Sequence, residues 1–136
     1  MNKREGRKMS VTSFYRNIIN EAIEPTQFDA EGIAKVKAAV EAAAKRLETL
    51  TLDKGGQCYT LEFDGAKAGA KYLKVWKNTK WDGKRNETGR SIWAFVDPNG
   101  LLWKPASTST PAKNFSRGKL EDLKSDEFLQ KNKYGF

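Results

Sequence analysis

The sequence predicts an α+β domain in which two N-terminal helices pack on a four-stranded antiparallel meander, followed by a short C-terminal helix. Two observations support this fold class. Apolar residues recur at helical spacing through residues 10–50, and beyond residue 56 they alternate with polar residues, as in half-buried strands. The length of 136 residues suits one compact domain.

The two predicted helices span residues 10–25 and residues 29–50. Ser10 is placed to cap the first helix, and either Thr26 or Asp29 is placed to cap the second. The second helix also contains an Ala-rich stretch of high helix propensity. Both apolar stripes are typical of core scaffolding. They comprise Val11, Phe14, Tyr15, Ile18, Ile19, Ala22 and Ile23 in the first helix, and Ile33, Val36, Val40, Ala43, Leu47 and Leu50 in the second.

The four predicted strands are separated by turn and loop signals. A polar loop over residues 79–90 separates the second strand from the third, and the turn signal Asp-Pro-Asn-Gly at residues 97–100 separates the third from the fourth. A loop rich in Ser, Thr and Pro over residues 106–119 leads to the C-terminal helix. The strands themselves span residues 59–63, 72–77, 91–96 and 101–104.

Domain organisation follows from the same patterns. Residues 1–9 form a basic, flexible N-terminus, residues 10–128 form a single α+β domain, and residues 129–136 form a flexible tail. No apolar run approaches the length needed to span a bilayer, and the basic N-terminus is not followed by the apolar segment of a secretory signal. We therefore expect a cytoplasmic protein without a membrane partner.

Composition excludes several kinds of site. The sequence contains one Cys, Cys58, and no His, so a disulfide framework, an ordinary zinc site and His-based catalysis are excluded. The three acidic residues of the basic segment, Asp82, Glu87 and Asp97, are scattered over a loop and a turn. We therefore expect a non-enzymatic protein that uses no cofactor.

The positive charge is confined to the middle of the chain. The whole sequence has a formal charge of +8, but residues 67–119 alone carry 12 Lys and Arg against three acidic residues, a net charge of +9. Residues 1–66 are neutral overall. A localised basic stripe attracts polyanions and steers their approach, so this segregation favours an anionic partner over a merely solvating surface.

The last two predicted strands allow the sheet faces to be assigned. A turn with a bulge at Gly100 pairs Phe95 with Trp103, and directly paired residues share a face. The alternation places Trp93 on that aromatic face, while Lys104 lies on the opposite, mostly aliphatic face. The aliphatic face also carries Ile92, Ala94, Val96 and Leu102.

The sequence leaves open which of these faces packs against the helices. If the aliphatic face packs inward, the rings form an outward stacking platform. If the rings form the core, no such platform exists. Lys104 on the aliphatic face favours the second arrangement, whereas Lys74, which shares a face with Tyr72 and Trp76, favours the first.

Aromatic rings interleaved with cations are typical of single-strand binding, because bases stack on the rings at about 1–3 kcal/mol each while cations contact the phosphates. The basic loop at residues 77–90, with Trp81 at its centre, is the strongest candidate, since Trp and Arg are common interface anchors. The predicted nucleic-acid-binding residues are Tyr72, Lys74, Trp76, Lys77, Lys80, Trp81, Lys84, Arg85, Arg90, Lys104, Lys113 and Arg117.

Part of the basic segment resembles a pattern in small uncharacterised tailed-bacteriophage proteins. The pattern comprises Ser-Ile-Trp-Ala-Phe-Val-Asp at residues 91–97, Gly100, Lys-Pro-Ala-Ser at residues 104–107, Pro-Ala-Lys at residues 111–113 and Arg117. The resemblance implies a phage protein acting in the host bacterial cytoplasm, and it carries no established activity.

Two functions from different classes fit these observations. The first is binding of single-stranded or non-specific nucleic acid, DNA or RNA, through the basic and aromatic sheet and loop. The alternative is a phage protein-binding module that inhibits an acidic host protein or serves as a minor virion component.

Overall fold

The computed structural model describes residues 26–85, 89–113 and 116–136. Within these ranges, helix α1 (Ala30–Thr51) precedes the strands, and a 3₁₀-helix (Leu120–Lys124) and helix α2 (Asp126–Lys131) follow them. One antiparallel sheet has the order β1-β2-β4-β5-β6, with β3 paired to β2. No helix among the described residues is long and apolar enough to cross a membrane. The strands are β1 (Gln57–Phe63), β2 (Leu73–Trp81), β3 (Lys84–Arg85), β4 (Ser91–Val96), β5 (Leu101–Trp103) and β6 (Gly118–Lys119).

The prediction of two N-terminal helices on a four-stranded meander is wrong. The described residues contain one long helix, one short helix and a six-stranded antiparallel sheet. The first predicted helix, residues 10–25, lies outside the described residues. The two unpredicted strands, β3 and β6, are two residues long and therefore too short to show an alternating pattern.

Helix α1 begins and ends at side-chain hydrogen bonds. Of the two predicted caps, Asp29 fills the role, because its Oδ1 accepts from the Gly32 N–H at 2.7 Å. At the other end, the Thr51 hydroxyl donates to the Leu47 carbonyl at 2.7 Å and accepts from the Tyr59 N–H at 2.8 Å. The second contact joins the end of the helix to β1. The buried face of α1 consists of Val36, Val40, Ala43, Ala44 and Leu47.

The aliphatic face of the sheet packs against α1, which resolves the choice that the sequence left open. Leu73 pairs with Val96 and Val75 pairs with Ala94, so these four residues share one face. All four are fully buried and belong to the same core cluster as Val40. We call the opposite side of the sheet the outer face.

Trp93 lies on the core side, contrary to its predicted place beside Phe95 and Trp103. The β2–β4 register pairs Val75 with Ala94 but Trp76 with Ile92, so Trp93 is an extra residue in β4. Such a bulge interrupts the alternation of side chains. The Trp93 ring is 1% exposed and its Nε1 donates to the Asn132 carbonyl at 2.7 Å.

The predicted turn and register of the β4–β5 hairpin are confirmed. Phe95 pairs with Trp103, and Gly100 adopts a positive φ of 82° in the turn. Asp97, interpreted from the sequence as a turn residue, has that role. Its Oδ1 accepts from the Asn99 N–H at 2.9 Å and the Leu101 N–H at 3.0 Å.

The C-terminal residues pack against the core, whereas the sequence predicted a domain ending at residue 128 and a flexible tail beyond it. Leu129 is fully buried, and the Phe136 ring lies 4.9 Å from the Trp93 ring, centroid to centroid. Arg46 of α1 anchors the same region, because its guanidinium bonds both the Leu123 carbonyl and the Asp126 carboxylate. The packed core therefore extends to the last residue.

Candidate nucleic-acid interface

The outer face presents a row of side chains from three neighbouring strands. Lys74 pairs with Phe95, and Phe95 pairs with Trp103, so the three side chains lie side by side. Phe95 is 1% exposed, and Tyr72 meets it edge to face with the ring centroids 6.2 Å apart. Phe95 therefore forms a floor, while Tyr72 and Trp103 are half-buried and retain exposed ring surface.

Lys113 lies over two of these rings. Its Nζ is 5.3 Å from the centroid of the Tyr72 ring and 4.9 Å from the centroid of the Trp103 ring, which are cation–π distances. A hydrogen bond from the lysine to the Tyr72 side chain raises the pKa of Lys113. The ammonium is therefore held protonated beside the exposed aromatic surface.

A second aromatic and cationic cluster lies at Trp76. The Arg90 guanidinium stacks over the Trp76 ring at 3.8 Å. Glu62 binds both this group and Arg85, with N–O distances of 3.3 Å to Arg90 and 2.7 Å to Arg85. Trp76 Nε1 donates to Asp64 Oδ2 at 3.1 Å, which fixes the indole. One carboxylate thus orients two guanidinium groups and leaves the trio with a net positive charge.

Trp81 lies at the tip of the hairpin formed by β2 and β3. The tip turns through Asp82 and Gly83, both with positive φ, and the Asp82 N–H donates to the Gly56 carbonyl at 3.0 Å. The indole is 56% exposed, although one edge lies against Gly55. Trp81 is therefore an exposed aromatic residue on a turn that is held in place by the neighbouring loop.

Three predicted cations remain available for phosphate contacts. Lys84 and Lys104 are exposed, and Lys74 is half-buried on the outer face. None of the three forms an ion pair with another residue in the part of the chain that the structure describes. Of the three, Lys74 alone lies on the outer face. Lys84 pairs with Trp81 on the other side of β2, and Lys104 follows Trp103 and therefore lies on the side opposite to it.

Other predicted residues do not join the outer face. Lys77 pairs with the core residue Leu61 and lies over the Tyr59 ring at 5.7 Å, on the helix side of the sheet. Lys80 is engaged by Glu48 of α1 at 3.1 Å. The predicted group of twelve residues is therefore divided between the two sides of the sheet.

Arg117 lies at the β5 edge of the sheet. It is half-buried, and its backbone N–H donates to the Leu102 carbonyl at 2.8 Å. The sequence placed it in the loop rich in Ser, Thr and Pro, among the predicted nucleic-acid-binding residues. In the structure, its main chain instead extends the edge of the sheet.

Sequence reasoning missed Glu62 and Lys71. Glu62 organises Arg85 and Arg90, but in the sequence it is only a polar residue in an alternating strand. Lys71 lines a cavity together with Lys113, 42 positions later in the chain, and no local pattern links the two. Within residues 26–85, 89–113 and 116–136, no group of His, Cys, Asp and Glu side chains is arranged to hold a metal ion.

The chain is a small α+β protein, and the outer face of its sheet carries basic and aromatic residues. The chain belongs to a family of unknown function, DUF7717, whose model matches residues 3–134. No curated protein and no solved structure matches the chain.

Proposed function

We propose that this protein is a non-enzymatic nucleic-acid-binding protein that holds single-stranded or non-specific nucleic acid on its outer sheet face. The observation that carries the proposal is the pairing of half-exposed rings with cations. Tyr72 and Trp103 share Lys113, and Trp76 stacks with Arg90. Rings that stack bases beside cations that contact phosphates are the means by which single strands are bound without sequence readout.

The proposed surface contains fewer residues than the set that the sequence predicted. Trp93 and Phe95 are buried and cannot stack a base, so the stacking rings are Tyr72, Trp76 and Trp103. Trp81 lies on the same side of β2 as Lys77 and is not part of this surface. The binding cations on this face are Lys74, Arg85, Arg90 and Lys113. Lys77 and Lys80 are not part of the proposed surface, because the first lies on the helix side of the sheet and the second is paired with Glu48.

The biological setting of the proposal is a phage protein acting in the bacterial cytoplasm. It is supported by the resemblance of residues 91–117 to small tailed-bacteriophage proteins and by the single cysteine, since disulfides are rare in reducing compartments. Cys58 is buried, and burial raises the pKa of its thiol. A protonated, buried thiol suits a structural residue.

Binding of a fluorescently labelled oligonucleotide at several salt concentrations tests the function. Each phosphate neutralised on a single strand adds about 0.7 to the magnitude of the slope of log K against log [salt]. Contacts from three or four of these cations therefore predict a slope of roughly −2 to −3. The double variant Lys74→Ala/Lys113→Ala should weaken binding and reduce the magnitude of the slope by about 1.4.

The matched control is Lys124→Ala/Lys131→Ala, which removes the same charge from exposed positions on the C-terminal helices. We expect the control to keep most of the affinity and the slope, because Leu123 and Leu129 of those helices pack into the core on the helix side of the sheet. Equal effects of the two double variants would show that only net charge matters. Absence of binding at low salt would contradict the function itself.

The exposed Trp81 favours a second candidate function, the protein-binding module. An indole that is 56% exposed on a fixed turn has the character of an interface anchor. Affinity capture from nuclease-treated bacterial lysate distinguishes the two functions. A single acidic protein retained by the wild-type chain and lost with Trp81→Ala would support protein binding, whereas loss of all retained material after nuclease treatment would support nucleic-acid binding.

A further inference from the structure

A cavity opens beside Tyr72, at the end of the outer face where β2 begins and β4 ends. It has a volume of about 330 Å³. We call it the Tyr72 pocket. Its lining combines one aromatic ring, two lysines, one carboxylate and one amide, and includes Lys71, Tyr72, Asp97, Asn99 and Lys113.

The two lysines give the Tyr72 pocket a positive charge. Lys71 and Lys113 are both exposed, and neither forms an ion pair with another described residue. Asp97 is the acidic group in the lining, so the two lysines and this carboxylate give the lining a formal net charge of +1. Its Oδ1 accepts from two backbone N–H groups, and its Oδ2 accepts from Trp103 Nε1 at 2.9 Å.

Such a lining suits a doubly charged phosphate attached to a flat ring. A phosphate monoester carries about −1.5 to −2 charges at neutral pH, whereas an internal phosphodiester carries one. Two ammonium groups therefore match a terminal phosphate better than an internal one. Ammonium–phosphate hydrogen bonds are charge-assisted, so the phosphate is able to draw Lys113 away from the Tyr72 and Trp103 rings. The ring surface thus released becomes available to a base.

We infer that the Tyr72 pocket binds a nucleotide carrying a phosphate monoester, with the phosphate between Lys71 and Lys113 and the base against Tyr72. The nucleotide is either the phosphorylated end of a strand or a free nucleoside monophosphate, since the two share this chemistry. For the strand end, the inference rests on the proposed function, because the rest of the strand lies on the outer face.

The test compares labelled strands of identical sequence and of roughly ten nucleotides, within the site sizes of single-strand-binding folds. One carries a 5′-phosphate, one a 3′-phosphate, and one a hydroxyl at each end. Unlabelled AMP serves as competitor and, in a separate titration, as ligand. We expect one phosphorylated strand to bind about tenfold more tightly than the hydroxyl strand, equivalent to one strong charge-assisted contact.

The possible outcomes separate the inference about the Tyr72 pocket from the proposed function. Equal binding of all three strands without AMP binding overturns the inference and leaves the proposed function intact. Binding of AMP without binding of any strand supports the Tyr72 pocket as a site for the free nucleotide and contradicts the proposed function. Absence of all binding contradicts both.

Two lysine variants locate the effect in the Tyr72 pocket. Lys71→Met should abolish the preference for the phosphorylated strand and leave affinity for the hydroxyl strand within about twofold, because Lys71 lies outside the aromatic row. Lys74→Met, the matched control on the outer face, should weaken all strands equally and retain the preference. If the preference survives Lys71→Met, the phosphate binds elsewhere and the inference is overturned.

Discussion

Asp97 illustrates how much a single side chain organises in this protein. Its carboxylate accepts three hydrogen bonds, two from turn N–H groups and one from the Trp103 indole. The same group therefore shapes the β4–β5 turn and fixes a ring of the proposed binding surface. Asp97 is consequently a structural residue that supports the site.

We expect Asp97→Asn to lower the free energy of unfolding by about 1–3 kcal/mol. The Asn side chain has one acceptor oxygen where Asp has two. If that oxygen accepts from the turn N–H groups, the amide NH₂ group faces the Trp103 N–H, and two donors then meet with no acceptor between them. Urea unfolding followed by circular dichroism measures the change. Asp126→Asn is the control, because it loses only an exposed ion pair to Arg46, and its effect should stay below about 1 kcal/mol. Equal losses for the two variants would contradict the structural role of Asp97.

At the scale of elements, the β2–β3 hairpin depends on the loop that precedes β1. The Gly56 carbonyl receives the Asp82 N–H, and Gly56 itself has a φ of 88°. Asp53 braces the same loop, since its Oδ1 accepts from the Gly55 and Gln57 N–H groups, both at 2.9 Å. This loop therefore determines where Trp81 is presented.

We expect Gly56→Ala to destabilise the protein by about 1–3 kcal/mol. A Cβ at this position would overlap the Asp82 carboxylate, and the positive φ is unfavourable for any residue with a Cβ. Gly65→Ala is the control, because a Cβ there meets no atom within 4 Å. Thermal unfolding of both variants measures the difference. Equal midpoints would show that the loop does not constrain the hairpin.

The bulge in β4 is a second feature at the scale of elements. By inserting Trp93, it turns one indole to the core side while Phe95 stays on the outer face. The same strand therefore contributes to the core and to the floor of the proposed interface. Without the bulge, strict alternation would place Trp93 on the outer face, as the sequence predicts.

Over the whole molecule, the C-terminal residues complete the core that the helix and sheet begin. Trp93, Phe128 and Phe136 form one aromatic cluster, with Phe128 and Phe136 centroids 6.1 Å apart. The Gln130 side chain adds a hydrogen bond to the Leu50 carbonyl at 3.0 Å. The C-terminal residues thus meet the end of α1 on the helix side of the sheet.

We expect Phe136→Ala to lower the free energy of unfolding by about 1–3 kcal/mol, less than for a fully buried Phe, because Phe136 is half-buried. Lys133→Ala, a neighbouring change outside the aromatic cluster, should stay within about 0.5 kcal/mol of wild type. Urea unfolding measures both. An unchanged stability of Phe136→Ala would show that the cluster contributes little to the fold.

The distribution of charge is also a property of the whole molecule, because folding brings acidic residues from other parts of the chain next to some of the basic ones. The sequence shows a net charge of +9 over residues 67–119. In the fold, Glu48 and Glu62, which precede that segment, bind Lys80, Arg85 and Arg90. The lysines of that segment that form no ion pair with another described residue are Lys67, Lys71, Lys74, Lys77, Lys84, Lys104, Lys113 and Lys119. Linear counting locates the basic segment but not the cations that remain free.

The sequence by itself determined the elements whose signals are local. The position of α1 follows from its apolar stripe and its cap at Asp29, and the β4–β5 register follows from the turn at Gly100. The hairpin tip carried a local signal as well, because Asp-Gly at residues 82–83 is a typical tight-turn pair, although the sequence was interpreted there as a loop. These features depend on residues a few positions apart.

Only the tertiary structure decided which face of the sheet is open and which cations act together. The bulge at Trp93, the pairing of Glu62 with Arg85 and Arg90, and the meeting of Lys71 with Lys113 all depend on contacts between residues distant in sequence. The alternation of residues and the count of charges carry no information about such contacts. The contacts form only when separate strands and loops pack around one core.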